Sequence, residues 1–263
     1  MPEPVRRVGV MTTFGRPETI AAARRRLEEL AAEAGVEVAP VEEGGLDLVV
    51  VLGGDGTMLR ALGATLGGGT PVFGVNFGRV GFLTTVEGDR LDPALRRAFA
   101  GEFRVVDLCT LDVRLAGETR PAVNDLVVTS SAPGRMVDLG WEVGGEELSE
   151  QPCDGIICAT PSGSTGYNLS NGGPVLMWGL EAMAISFVAP HSVRHRPLVV
   201  PRGIGLRIAN RSHDLPVTVL VDGDAVGELE HDGAVEVAVG EERCRLAVLP
   251  AVTFLSRYHA VFA

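Results

Sequence analysis

The segment Leu46-Asp47-Leu48-Val49-Val50-Val51-Leu52-Gly53-Gly54-Asp55-Gly56-Thr57 decides the fold. Its first seven residues form a near-continuous apolar run, the pattern of a parallel strand covered on both faces. The glycines that follow let the backbone turn, and Met58–Leu66 reads as a helix. Outward from this segment the same alternation repeats. Val8–Met11 reads as a short buried strand. Pro17–Ala34 reads as a helix with Ile20, Ala23, Leu27, Leu30, Ala31 and Ala34 on one face, Pro17 in its first turn and Gly35 at its stop. Val36–Ala39 and Pro71–Val75 are further strands. Asp92–Ala100 reads as a helix capped by Asp92 and followed by Gly101. Strands alternating with helices predict an open α/β sheet up to about residue 100.

Beyond that point the period changes. Leu111, Val113 and Leu115 alternate with polar residues, as do the runs Val217-Val219-Val221 and Val235-Val237-Val239, and Asp222-Gly223 and Asp232-Gly233 mark turns between runs. This is the signature of an antiparallel β domain. The expected organisation is an α/β domain over 1–103, an all-β domain over 104–245, and a terminal segment, 246–263, packing back on the first domain.

Composition excludes several classes. The formal net charge of −11 argues against a broad nucleic-acid surface. All 23 basic residues are arginine, so a Walker-type lysine, a protein-kinase core and a lysine Schiff base are out of reach. Residues 1–7 are not followed by a long apolar run, and no stretch approaches the roughly 18 apolar residues of a membrane span. Cys109, Cys153, Cys158 and Cys244 form no Cys-x-x-Cys pair, so neither a zinc site nor a disulfide framework is expected. Cytoplasm is the default location, with no membrane and no nucleic-acid partner.

The Gly-Gly-Asp-Gly-Thr turn suits phosphate in one respect and not in another. A helix N-terminus offers N–H groups and a positive dipole end. A carboxylate at the same place repels phosphate, which makes Asp55 a candidate general base or metal-side ligand rather than a phosphate binder. A helix cap on a tight turn is the structural alternative. Similar turns occur in lipid kinases and phosphofructokinases, so this motif alone selects no substrate.

A second segment, Asp154-Gly155-Ile156-Ile157-Cys158-Ala159, reads as a turn and strand. It leads into Thr160-Pro161-Ser162-Gly163-Ser164-Thr165-Gly166-Tyr167-Asn168-Leu169-Ser170 and then Asn171-Gly172-Gly173-Pro174. Hydroxyls and open backbone suit phosphate and ribose, and the one tyrosine offers a flat face to a heterocycle. This segment resembles the signature of the NAD kinase family, usually Thr-Pro-Thr-Gly-Ser-Thr-Ala-Tyr followed by Ser and Gly-Gly-Pro. Gly-Gly-Asp-Gly-Thr lies upstream where that family has it, and Asn124-Asp125 occupies its Asn-Glu slot. Gly74-Val75-Asn76-Phe77-Gly78 and Gly81-Phe82-Leu83 match as well, so the resemblance spans nearly the whole chain.

The resemblance implies an α/β domain and an all-β domain with the active site in the cleft between them, and an enzyme that phosphorylates the adenosine 2′-hydroxyl of NAD to give NADP. It implies ATP or polyphosphate as donor, a divalent ion such as Mg²⁺ at the donor phosphates, and a homodimer or homotetramer. It also implies residue roles. Asp55 is the base, Gly56 lies against the dinucleotide, and Arg60 and Arg135 meet phosphate. Phe82 borders the adenine, Asn124 and Asp125 hold the adenosine, and Asp154 contacts the nicotinamide end. Thr165, Gly166, Tyr167 and Ser170 line the same dinucleotide. Three positions depart from the pattern: Asp125 is one methylene shorter than Glu, Gly166 lacks the alanine methyl, and Pro152 stands where some members have a basic residue.

Two rival functions fit part of the sequence. A diacylglycerol or sphingoid kinase shares Gly-Gly-Asp-Gly-Thr but lacks the Thr160–Tyr167 motif. A non-catalytic NADP(H) sensor would not need Asp55. His191 and His195 read as loop or subunit-contact residues, and Asp222 and Asp224 as hairpin residues first; the resemblance, to a family that often has Asp-Gly there, implies a secondary role near the nucleotide.

Overall fold

In the computed structural model, residues 3–13, 17–78, 81–132, 134–192 and 195–263 are described; Arg194, between the two histidines, lies outside them. The chain divides into two units, residues 1–108 with 243–263, and residues 109–242.

The first unit carries β1 (Arg7–Thr12), α1 (Pro17–Ala34), β2 (Glu37–Ala39), β3 (Leu48–Gly53), α2 (Asp55–Ala64), β4 (Val72–Asn76), β5 (Val86–Glu87) and α3 (Leu91–Phe99). Its strands run parallel, with β1 between β2 and β3, β3 beside β4, and β4 beside β5. All six residues of β3 are buried, as their continuous apolar character requires. Leu48, Val50 and Leu52 join the core with Leu27 and Leu30 of α1 and Leu95 of α3. Each such buried leucine contributes about 1.5–3 kcal/mol. Met58, Ala61 and Leu62 form the buried face of α2.

Two helix ends differ from expectation. α2 starts at Asp55 rather than Met58, so the acidic residue lies in the first turn of the helix. α3 starts at Leu91, with Arg90 and not Asp92 at its N-cap. The Asp92 carboxylate instead accepts two hydrogen bonds from the Arg26 guanidinium of α1, at 2.9 and 2.6 Å.

The long strand β6 (Arg104–Leu115) carries the chain into the second unit, so the division falls within a strand and not before it at 103/104. There follow β7 (Glu118–Ala122), β8 (Asp125–Ser130), β9 (Val137–Val143), β10 (Glu146–Cys153), β11 (Gly155–Ala159), the short α4 (Tyr167–Ser170), β12 (Ala182–Val188), β13 (Leu198–Pro201), β14 (Leu206–Asn210), β15 (Val217–Val221), β16 (Asp224–Leu229) and β17 (Ala234–Val248), which returns the chain to the first unit. One antiparallel sheet has the order β13-β12-β11-β8-β15-β16; another runs β10-β9-β14-β17, with β6 and β7 continuing from β17. Alternate residues from both sheets, among them Leu111, Leu126, Leu139, Ile156, Ile185, Ile208 and Val219, fill the space between them.

The terminal segment forms α5 (Phe254–Phe262), begun by a capping box in which Thr253 and Ser256 each accept the other's backbone N–H. It belongs to the first unit, where Phe254 and Phe262 pack on Phe82 with ring centroids 5.2 and 6.1 Å apart. All four cysteines are free and buried. Among the described residues no helix is long and apolar enough to cross a membrane.

Candidate active site

The candidate residues fall into two groups, one in each unit. In the first unit, β3 ends at Gly53 and α2 opens at Asp55 with Gly54 as an N-cap that supplies no side-chain cap. A Cβ at Gly54 or Gly56 would meet nothing within 4 Å, and neither residue has a positive φ. Neither packing nor backbone conformation therefore requires glycine there, whereas close approach of a ligand would. A cleft of about 500 Å³ is lined by Thr13, Gly54, Gly56, Thr57, Arg60 and Phe77. Arg60 is exposed one turn along α2.

The Asp55 carboxylate is oriented by the segment that precedes β5. Oδ2 accepts the Phe82 N–H at 2.6 Å; Oδ1 accepts the N–H groups of Leu83 and Thr84 at 3.1 and 3.0 Å and meets the Thr84 hydroxyl at 3.2 Å. Oδ2 thus carries one protein donor where Oδ1 carries three, and it is the oxygen with capacity for a further partner. Arg257 of α5 donates to the Gly81 carbonyl, which ties the terminal helix to the same segment. Phe82 itself is 4% exposed, its ring covered by α5 and its backbone bound to Asp55.

In the second unit, Asn124 and Asp125 stand where the chain enters β8. The Thr160 N–H donates to the Asn124 carbonyl at 2.8 Å, and the Thr160 and Ser162 hydroxyls donate to the Val123 carbonyl at 2.7 and 3.0 Å. Gly163 lies directly on Asn124, whose carbonyl would overlap any Cβ at 163. The structure therefore brings the Asn-Asp pair and the Thr160–Ser170 segment together. The segment is a single 3-10 turn over Gly163–Thr165 followed by α4. Thr165 is half-buried, and Gly166, Tyr167 and Ser170 are exposed, Tyr167 to 46%. A Cβ at Gly166 would press on the Gly163 carbonyl at 3.3 Å and meet nothing else within 4 Å.

Two acceptors at this place lack partners. Asn124 Oδ1 is buried with no hydrogen bond, and among the described residues no donor reaches the Asp125 carboxylate. Burial first, and the nearby Asp222 charge second, push the Asp125 carboxyl up to about 6. A buried unpaired acceptor is costly, and a ligand that presents donors relieves the cost.

Asp154 and Arg135 are not part of this cluster. Asp154 precedes β11 and Thr160 follows it, which separates them by roughly 20 Å at the rise of a strand. The Asp154 carbonyl accepts from Ser130 N–H at the far end of β8, and exposed Arg135 follows that same end. At this end too, His191 N–H donates to the Pro152 carbonyl, and the His195 ring lies 5.3 Å from Phe187. A separate concavity of about 360 Å³, lined by Asp112, Arg114, Glu142, Arg207 and Glu236, includes none of the candidate residues.

Residues 8–103 match the model of the ATP-NAD kinase N-terminal domain, and residues 123–249 that of the ATP-NAD kinase C-terminal domain. The chain belongs to the NAD kinase family. It is 40% identical over 214 residues to the NAD kinase of Heliobacterium modesticaldum, covering 80% of this chain and 76% of that one. It is 31% identical over 269 residues to the NAD kinase of Syntrophotalea carbinolica, with 94% of each chain covered. An NAD kinase from Archaeoglobus fulgidus, solved in complex with ATP, superposes with a TM-score of 0.77 at 30% identity over 97% of both chains. Yeast NADH kinase complexed with NADH gives a TM-score of 0.85 at 20% identity, over 98% of this chain and 88% of that one, a likeness of fold. The α/β and β units are thus those of the NAD kinase fold.

The NAD kinase signature residues were legible in the sequence, but several of their supports were not. Asp222, Thr160, Ser162, Gly163 and Arg257 hold the site residues without belonging to the resembling pattern as ligand contacts. Thr160, Ser162 and Gly163 stand in the quoted segment without a supporting role assigned, and Asp222 read as an acidic residue before glycine at a hairpin, a turn signal that does not report where the carboxylate points; Arg257 left no trace.

Proposed function

We propose that this member of the NAD kinase family transfers the γ-phosphoryl group of ATP to the 2′-hydroxyl of the adenosine ribose of NAD, giving ADP and NADP. The observation that carries this reading is the unpartnered acceptor pair, Asn124 Oδ1 and the Asp125 carboxylate, at the rim of the hydroxyl-rich segment. An adenosine presents the complementary donors, an exocyclic amine and ribose hydroxyls. The rigid mounting of both residues suits recognition by preformed groups.

Asp55 takes the acceptor proton in this reading. Oδ2, with its single protein donor, receives the hydrogen bond from the ribose 2′-hydroxyl; the hydroxyl oxygen attacks the γ-phosphorus, the bond to the bridging oxygen of ADP breaks, and the hydroxyl proton passes to Asp55. Gly54, Gly56 and the start of α2 receive phosphate through backbone N–H groups, and Arg60 adds charge. Thr165, Gly166, Tyr167 and Ser170 border the dinucleotide, the exposed Tyr167 ring giving a stacking face.

Among the described residues no group of three or more His, Cys, Asp or Glu side chains is arranged to hold a metal. Mg²⁺ would arrive on the ATP phosphates and would neutralise their charge there, since this ion is commonly held by substrate phosphates with few protein ligands. ATP is the donor in this reading, in keeping with the ATP bound to the Archaeoglobus relative. A cytoplasmic location suits four free, buried thiols, and a homodimer or homotetramer completes the proposal.

The test is a coupled assay of purified protein with ATP, Mg²⁺ and NAD, read by an NADP-specific dehydrogenase. NADP accumulation that requires both substrates is expected. No NADP with ATP, together with phosphorylation of diacylglycerol in vesicles, would overturn the assignment.

A further inference from the structure

The backbone of Val123, Asn124 and Asp125 is gripped from two sides, and the second grip comes from a residue outside the signature motifs. Asp222 begins the turn between β15 and β16 with φ at +52°, a left-handed conformation that Asp and Asn tolerate. Its carboxylate does not serve the turn. It reaches across to accept the N–H groups of Val123 at 2.8 Å, Asn124 at 2.7 Å and Asp125 at 3.1 Å, while its own N–H donates to the Asp125 carbonyl at 2.9 Å. Thr160 and Ser162 hold the Val123 and Asn124 carbonyls from the other side. Every backbone N–H and C=O from Val123 to Asp125 is therefore bonded. A hairpin needs no such carboxylate, because Asn-Gly turns equally well.

Resting on the functional reading above, we propose that Asp222 is a positioning residue for the dinucleotide: it locks the Val123–Asp125 backbone so that the Asn124 and Asp125 side chains meet the adenosine without rearrangement. The orphaned acceptors and the three-fold carboxylate grip occupy the same three residues, which places the rigidity where recognition needs it.

The grip has an electrostatic consequence. Asp222 is itself pushed up by burial, against which its three backbone donors act, with Asp224 adding a like charge. Its charge in turn raises Asp125 further than burial alone does. Across the ladder Asp125 pairs with Ala159 of β11, and the neighbouring buried Cys158 thiol is pushed up, chiefly by burial and then by the Asp125 charge. Ribose hydroxyls donate more strongly to a carboxylate than to a carboxylic acid, so NAD recognition weakens as Asp125 takes up its proton near pH 6.

Asp222→Asn tests the proposal, because Asn keeps the left-handed turn while removing the charge and one of the acceptors. The NAD Michaelis constant is expected to rise about tenfold, the scale of one hydrogen bond lost, and the ATP constant to change by less than about twofold. The acid limb of kcat/KM for NAD should move to lower pH, since Asp125 loses its like-charged neighbour. A merely structural role would depress both substrates alike and leave that limb in place; either that pattern or an unchanged NAD constant overturns the proposal. A measurement on the wild type keeps it decidable if the variant does not fold. By NMR the amide protons of Val123, Asn124 and Asp125 should follow one common carboxyl titration, and the absence of a shared titration overturns the proposal. Wild-type protein that forms no NADP would instead overturn the functional reading, while the amide titration still reports on Asp222.

Discussion

Gly81 stands so close to Asp55 that any Cβ at 81 would overlap the carboxylate Oδ1 and approach the Thr84 hydroxyl to 2.6 Å. Glycine is required here by the orientation of its neighbour, not by a turn. Gly81→Ala should push the Asp55 carboxylate off the N–H groups of Leu83 and Thr84. Such a displacement costs positioning more than binding. We predict kcat lower by about 10²-fold with a NAD constant changed by less than about threefold, measured by steady-state kinetics. Full activity in the alanine variant would show that the observed orientation of Asp55 is not the working one.

Asp55→Asn removes the proton acceptor while keeping the shape. Its amide oxygen still accepts the N–H groups of Leu83 and Thr84, and only the bond from the Phe82 N–H is given up, so the fold and most of the dinucleotide affinity should persist. Turnover should fall by about 10²–10⁴-fold, the usual contribution of a positioned base. Calorimetric NAD binding beside kcat separates the two effects, and near wild-type turnover would remove Asp55 from the chemistry.

Asp125 sets function against stability. Its carboxyl is raised from 3.8 to about 6, first by burial and then by Asp222. Between those values the folded state binds more protons than the unfolded chain, so this group's contribution to stability declines as pH rises through that window, and the full cost is borne above it. Asp125→Asn removes the cost. At pH 8 the variant should melt higher by about 2–4 °C, with the gain shrinking to nothing as pH falls to about 4. Its NAD constant should rise by about tenfold, as a charged acceptor is lost. A variant that melts lower than wild type at pH 8 contradicts this account of the site's electrostatics.

Tyr167 is 46% exposed at the start of α4, an ordinary place for neither a core ring nor a purely structural one. Tyr167→Ala should weaken NAD binding by about five- to tenfold, consistent with one aromatic stacking contact, while the ATP constant and the melting temperature stay near wild type. Equal rises in both Michaelis constants would assign the ring to the other substrate.

Periodicity carried most of the fold. The apolar run ending at Leu52 and the amphipathic face of residues 17–34 report burial directly, and β3 and α1 follow from them. Asp92 shows where such reading stops: its sequence position suits a cap, but an arginine 66 residues away captures it instead. The site was legible to the extent that it is written in contiguous motifs. Asn124-Asp125 and Thr160–Ser170 were recognisable one by one, whereas their mutual bonding through Val123, Thr160 and Ser162 depends on β8 and β11 lying side by side. The separation of Asp154 from Thr160 is likewise a property of β11, since six residues of extended chain span far more than the same six in a turn.

The most direct test follows the phosphorus atom. Wild-type protein incubated with ATP, Mg²⁺ and NAD is observed by ³¹P NMR as the γ-phosphate signal of ATP declines. The account predicts a new phosphomonoester resonance in equal amount, assigned to the 2′ position of the adenosine ribose of NADP. Loss of the γ signal to free phosphate alone, or a phosphomonoester at any other position, would contradict it.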